Sequence, residues 1–202
     1  MPAPLTEEQN RLDREALLDA AEALFYGRGV QAVGMDEVRV ASGLPLKRIY
    51  RFFAAKEDLV VAVLRRRDLR WRGELAARVE QVQDPGERVL AVFDWLGEWF
   101  AQPGFRGCAW INAYGELGAT SEAVLAEVRS HKRAFHDQVA AWVHATGVPV
   151  AEPVFLLAEG AVVTAAINGD AAPAHHARTA VAALLGVPWP PAATAGCGSL
   201  LG

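Results

Sequence analysis

Cysteine is scarce in this chain of 202 residues, which has only Cys108 and Cys197. Two cysteines so far apart make no disulfide framework of the kind that staples small secreted domains. Metal-ligand spacings are missing too, with no Cys-x-x-Cys and no His-Glu-x-x-His. His131 and His136 are five apart and His175 and His176 are adjacent, and neither spacing puts two imidazoles on one helical face. No metal or other cofactor is therefore expected. There is no run of eighteen apolar residues, so no membrane span is expected. The start, MPAPLTEEQNRLDRE, lacks the basic-then-apolar order of a secretory signal, and a cytoplasmic location is the expectation. A Gly-x-Ser-x-Gly elbow, a P-loop and a plausible pair of carboxylates are all absent, so no catalytic residues are assigned and an enzyme is not expected.

What the chain does have is apolar content, 52% of its residues, enough for a substantial core. It also has an uneven charge. The net charge of −4 divides into 13 Lys+Arg against 11 Asp+Glu over residues 1–72, and 7 against 13 over residues 73–202. The basic balance falls in the first third, as contact with a phosphate backbone requires. There the stretch Gly34–Asp58 reads as two short helices, a tight turn and the start of a third. Gly43 can take the left-handed conformation that ends a helix, and Pro45 has its φ pre-set for a first helical turn. Leu46, Ile49 and Phe53 share one apolar face, which leaves Lys47, Arg48, Tyr50 and Arg51 free to point outward. That layout is a helix-turn-helix for DNA.

The rest of the chain reads as helix as well. Residues 11–28 carry Leu17, Leu18, Ala21, Leu24 and Phe25 on one stripe, and a helix from Lys56 runs to about Gln83. Its run Arg65, Arg66 and Arg67 reads as a solvated face. Further helices are expected over 87–101, 105–117, 121–146, 152–168 and 174–185, giving nine with no convincing strand: an all-α fold. The helix over 152–168 is apolar nearly all round, so it must bury two sides, one against its own domain and one against something else.

Ala20-Ala21-Glu22-Ala23-Leu24-Phe25, Arg28-Gly29, Ala41-Ser42-Gly43-Leu44 and Ile49-Tyr50-Arg51-Phe52-Phe53, with Lys56-Glu57 after them, follow one another without a gap from Leu17 to Leu64. Over that span the chain resembles the TetR/AcrR family of transcriptional regulators. Gly34 stands where that family usually has a capping Thr or Ser, Pro45-Leu46-Lys47-Arg48 replaces a Ser-Lys-Gly-Thr kind of run, and Phe52 replaces a frequent His. The resemblance implies a DNA-binding domain over 1–55, a ligand-binding and dimerisation domain over 56–188, and a disordered tail over 189–202.

It also implies a homodimer through the last two helices, about 152–186, and a repressor released from double-stranded operator DNA by a small-molecule inducer. Base reading would fall to Lys47 and Arg48 and phosphate contact to Tyr50, Lys56 and the helix start at Gly34 and Met35. Pro45, Leu46 and Arg51 complete the expected DNA-binding set. The inducer pocket would be sought among Trp95, Trp99, Trp110, Asn112, Tyr114, His131 and Trp142, since aromatic walls with a few polar groups suit a small molecule. The alternative is a helical interaction protein that has lost specific DNA binding.

Overall fold

Nine α-helices and no strand make up residues 6–187, the part of the chain that the computed structural model describes, so the all-α expectation holds there. The tail expected to be disordered lies outside the described residues. Helix α1 (Glu7–Arg28) starts one turn earlier than its apolar stripe suggests, because the Thr6 hydroxyl caps it by accepting the Gln9 N–H at 3.1 Å. Gly29 ends it with φ 92°, a conformation that excludes other residues. Helix α2 (Met35–Ser42) stops at Gly43, φ 70°, and α3 (Leu46–Phe52) follows Pro45. The remaining helices are α4 (Lys56–Val79), α5 (Pro85–Phe100), α6 (Ala109–Leu117), α7 (Glu122–His144), α8 (Ala151–Asn168) and α9 (Ala172–Leu185). Asp84 caps α5 and Ser121 caps α7 through the Glu87 and Val124 N–H groups.

Packing divides the helices into two compact units, and the division does not fall at residue 55. One unit runs to Glu74 and includes Gln102–His136; the other takes Leu75–Ala101 and the chain from Asp137. In the first, Leu17, Leu18, Ala21 and Phe25 of α1 are buried together with Val33, Val38, Ile49 and Leu59. Neither α2 nor α3 is long enough to persist alone, so these contacts hold the helix-turn-helix in shape. In the second unit α5 packs on α9, and α8 on α9. The Arg178 guanidinium of α9 reaches Asp94 of α5 at 2.8 Å.

Candidate nucleic-acid interface

Ile49 and Phe53 are buried and Leu46 half-buried, so the apolar face of α3 is the one its spacing predicts. Lys47, Tyr50 and Arg51 stand out from it into solvent, Tyr50 with 47% of its surface exposed. Arg48 does not, and here the structure corrects the expectation of a base-reading side chain. Only 8% exposed, Arg48 donates from Nε to Asp13 Oδ2 at 3.0 Å and from Nη2 to Asn10 Oδ1 at 2.6 Å. Its guanidinium also lies 4.6 Å over the Phe52 ring. A helical period marks one buried face, but α3 also meets α1 along its flank, where a carboxylate and an amide satisfy the charge.

Lys56 is likewise committed. Its ammonium donates to the carbonyls of Val30 at 2.6 Å and Val33 at 2.5 Å, tying α4 to the segment between α1 and α2. Partial burial lowers its pKa, and the carboxylates of Glu116 and Glu37 offset part of that. The opposite edge of the same segment is held from α6, where the Glu116 carboxylate accepts the Val30 N–H at 3.0 Å and the Gln31 N–H at 2.6 Å. Tyr26 adds a second tie, donating to the Gly107 carbonyl at 2.9 Å and accepting the Arg106 N–H at 2.8 Å.

The start of α2, expected to offer N–H groups to phosphate, already holds an anion. Gly34 has no side chain to cap with, and Glu37 reaches back to accept the Gly34 N–H at 2.9 Å while pairing with Arg28 at 2.5 Å. Those two contacts hold the Glu37 carboxyl below its ordinary pKa. Met35 is half-buried and Pro45 exposed.

In the arginine run of α4, Arg65 is exposed as expected, but Arg66 and Arg67 are not on a solvated face. Glu22 of α1, itself buried, accepts from Arg66 at 3.0 Å, from Arg67 at 2.8 Å and from Arg70. Burial alone would raise the Glu22 pKa, but the three arginines outweigh it and the net shift is downward. Residues 1–72 hold 13 Lys+Arg. Among the described residues, only Lys47 and Arg51 of these have no carboxylate, carbonyl or aromatic ring as partner. Both are on α3, on the exposed side.

The seven candidate ligand residues do not converge within either unit. Trp110, Asn112, Tyr114 and His131 belong to the first, and Trp95, Trp99 and Trp142 to the second. His131, 3% exposed, stacks on Trp110 with ring centroids 3.4 Å apart, and its Nδ1 lies 2.6 Å from Asp68 Oδ1. It is a core histidine with its polar edge paired, not a group open to a ligand. Asp68 also receives Arg72 at 2.8 Å and 2.6 Å. Burial pushes the Asp68 carboxyl upward, yet Arg72 and His131 bring it down to about 2. Tyr114 is 56% exposed, and Asn112, also exposed, donates to the Arg106 carbonyl at 3.0 Å. Trp95 and Trp99 are buried and stacked at 5.9 Å, and Trp142 is buried. Asn112 alone of the seven lines a crevice between α1, α4 and α6, whose walls include Phe25, Tyr26, Val60 and Ala113; at about 30 Å³ it has room for a water, not an inducer.

A three-helix head in which a left-handed glycine turn presents a short cationic helix defines a helix-turn-helix protein. Residues 17–63 match the family model for bacterial regulatory proteins of the tetR family. Over those residues the chain is similar to that family's DNA-binding segment. An uncharacterised HTH-type transcriptional regulator of Mycobacterium tuberculosis is 34% identical over 86 residues, which are 43% of this chain and 43% of the relative. The match thus spans less than half the length of that curated relative. A TetR-family transcriptional regulator from Streptomyces coelicolor superposes with a TM-score of 0.80 at 26% identity, over 86% of this chain and 88% of the other. A TetR transcriptional regulator from Chloroflexus aurantiacus gives 0.77 at 24% identity over 89% and 97%, a likeness of fold. These proteins are named as regulators, not enzymes.

Proposed function

We propose that the chain is a cytoplasmic, homodimeric repressor that binds a near-palindromic operator through α3 and is released by a small molecule. The observation that carries the DNA part is the presence of Lys47, Tyr50 and Arg51 together on the exposed side of α3, two of them the unpartnered cations of the head. Lys47 and Arg51 supply hydrogen bonds to guanine or phosphate, and Tyr50 to phosphate. One helix of seven residues spans too few base pairs for useful selectivity. Two such helices on a two-fold axis read two half-sites at a spacing set by the dimer.

The support for a dimer is the outer face of α8. Leu156, Val163 and Ile167 are exposed there at steps of seven and four residues, with Gly160 between them. Leu156 and Gly160, with Ala161 and Thr164 beside them and His176 and Ala177 of α9, border an open groove of about 410 Å³. Although α8 is long and apolar enough to pass as a membrane span, Gly160, Ala161 and Thr164 suit close helix-helix contact, and a second copy of the chain covers the face. Release by a ligand rests on the family resemblance, with a ligand that prefers another helix arrangement changing the separation of the two α3 helices.

The test is selection of duplexes from a random library by the full chain, followed by fluorescence anisotropy across salt concentrations. Two unpartnered cations per half-site predict a slope of log K against log salt of about −3.5 for the dimer. Lys47→Ala and Arg51→Ala should each weaken binding by about 1–3 kcal/mol. A chain that enriches no duplex is a helical interaction protein, not a regulator of operator DNA.

A further inference from the structure

The way Arg48 is held suggests a role in DNA binding that does not involve touching DNA. Helix α3 is seven residues long, and Ile49 and Phe53 seat it on the core. Apolar contacts of that kind resist separation but tolerate small rotations and slides. The flank is different. From α3 the Arg48 fork reaches Asp13 Oδ2, 3.0 Å from Nε and 2.9 Å from Nη2, and Asn10 Oδ1 at 2.6 Å. Asp13 is oriented in turn by Gln9, which donates to its Oδ1 at 2.7 Å. In the opposite direction, the Arg14 guanidinium of α1 lies 5.4 Å over the Phe53 ring that follows α3. Two arginines thus cross between the helices. The Arg48–Asp13 side chains retain only 9% and 15% of their exposure. A planar fork on a carboxylate is directional, which makes it suited to fixing the rotation of a short helix about its own axis.

We propose that Asp13 and Arg48 are a positioning pair, which sets the angle at which Lys47, Tyr50 and Arg51 meet the duplex. The proposal rests on the DNA-binding reading above and extends it to an acidic residue on a different helix. It makes a prediction opposite in sign to simple electrostatics. Removing a negative charge from a DNA-binding head strengthens attraction to any polyanion. Removing the carboxylate of a positioning residue weakens binding to the preferred duplex.

The experiment uses the full chain, a duplex enriched by the unmodified protein and a scrambled duplex of equal length, with anisotropy measured from 50 to 300 mM salt (roughly the range over which counterion release is resolved). Asp13→Asn keeps the size and shape of the side chain. It is expected to lose about tenfold in affinity for the enriched duplex and none for the scrambled one. Arg48→Gln should show a similar loss with an unchanged salt slope, whereas loss of one phosphate contact per protomer lowers the slope of the dimer by about 1.8. Arg48→Lys should not rescue, because an ammonium lacks the fork; rescue would mark a point-charge contact with DNA. Circular dichroism confirms that each variant keeps its helices. If Arg48→Gln does not fold, Asp13→Asn decides alone. Equal or tighter binding of the enriched duplex by Asp13→Asn overturns the proposal, as does a reduced slope for Arg48→Gln. Failure of the underlying reading looks different: the unmodified chain then enriches no duplex, and the pair has no DNA to position α3 for.

Discussion

If the outer face of α8 is the dimer seam, Ile167→Asp should give a folded monomer. Ile167 keeps 78% of its surface exposed in the protomer, more than Leu156 at 65% or Leu184 at 41%. Full burial of such a side chain is worth about 1.5–3 kcal/mol, so covering the exposed three-quarters is worth about 1–2 kcal/mol. A two-fold axis uses the contact twice, which makes about 2–4 kcal/mol per dimer, or roughly a 30- to 700-fold change in the dissociation constant. The aspartate adds a further penalty, because two carboxylates would enter an apolar seam without partners. The protomer should not register the change, since the side chain touches little of its own chain and Ile and Asp differ little in helix propensity. Val162, four-tenths of a turn away in sense but only 4% exposed, is the control: Val162→Asp should unfold the protein. Sedimentation velocity across a wide concentration range, with far-ultraviolet circular dichroism alongside, reads both quantities. An Ile167→Asp protein that stays dimeric at the lowest concentration tested would place the seam elsewhere, and an unmodified chain that is monomeric throughout would remove it.

Gly29 and Gly43 both have positive φ but differ in surroundings. A Cβ on Gly29 would lie 3.1 Å from the Glu116 carboxylate, and one on Gly43 would meet nothing within 4 Å. Gly43→Ala should cost about 1–2 kcal/mol in urea unfolding and Gly29→Ala clearly more, and equal costs would refute the Glu116 contact. Asp68 has its pKa lowered from 3.8 to about 2, so its stabilisation is full above the unfolded value and is lost as pH falls through the folded one. Asp68→Asn should therefore lose about 1–2 kcal/mol near neutrality, after allowance for solvent screening, and show a flatter stability profile between pH 4 and pH 2 (roughly the interval between the two values). Lys56→Met keeps most of the length of the side chain but strips two carbonyls of their donor, so thermal unfolding should show a loss of about 1–3 kcal/mol. An unchanged melting temperature would mean that water replaces the ammonium without cost.

Periodicity and punctuation were enough to read the helices. Each short-range signal, from the α1 stripe to the glycine after α2 and the proline before α3, acts over a few residues and is visible in a linear chain. What they missed acts at long range. Arg48 and Asp13 are 35 residues apart, and Glu116 lies 86 from Val30. Nothing local marks either as a partner, so a rule that gives a short helix one buried face sends Arg48 outward. Arg66 and Arg67 mislead in the same way, because a run of like charge looks solvated until a carboxylate such as Glu22 is brought against it. The aromatic candidates fail for a different reason. Trp and His suit a pocket and a core equally well, and only the stacking of His131 on Trp110, with Asp68 at its edge, shows which one they build.

The charge of the head supports the same reading of α3. A surplus of 13 Lys+Arg over 11 Asp+Glu in residues 1–72 is small, and counted as a field it hardly distinguishes this region from any other. What separates it is how the charges are spent. Arg66, Arg67 and Arg70 are held by Glu22, Arg72 by Asp68, Arg65 by Glu127, Arg28 by Glu37 and Arg48 by Asp13. A cation already paired with a carboxylate releases little further energy on meeting a phosphate, because it must first give up its partner. On the proposed function, attraction to DNA would therefore be concentrated on Lys47 and Arg51, which project from one side of one short helix. Rotating that helix moves both together, so on that reading the Arg48–Asp13 flank would matter as much to recognition as the two side chains proposed to make contact.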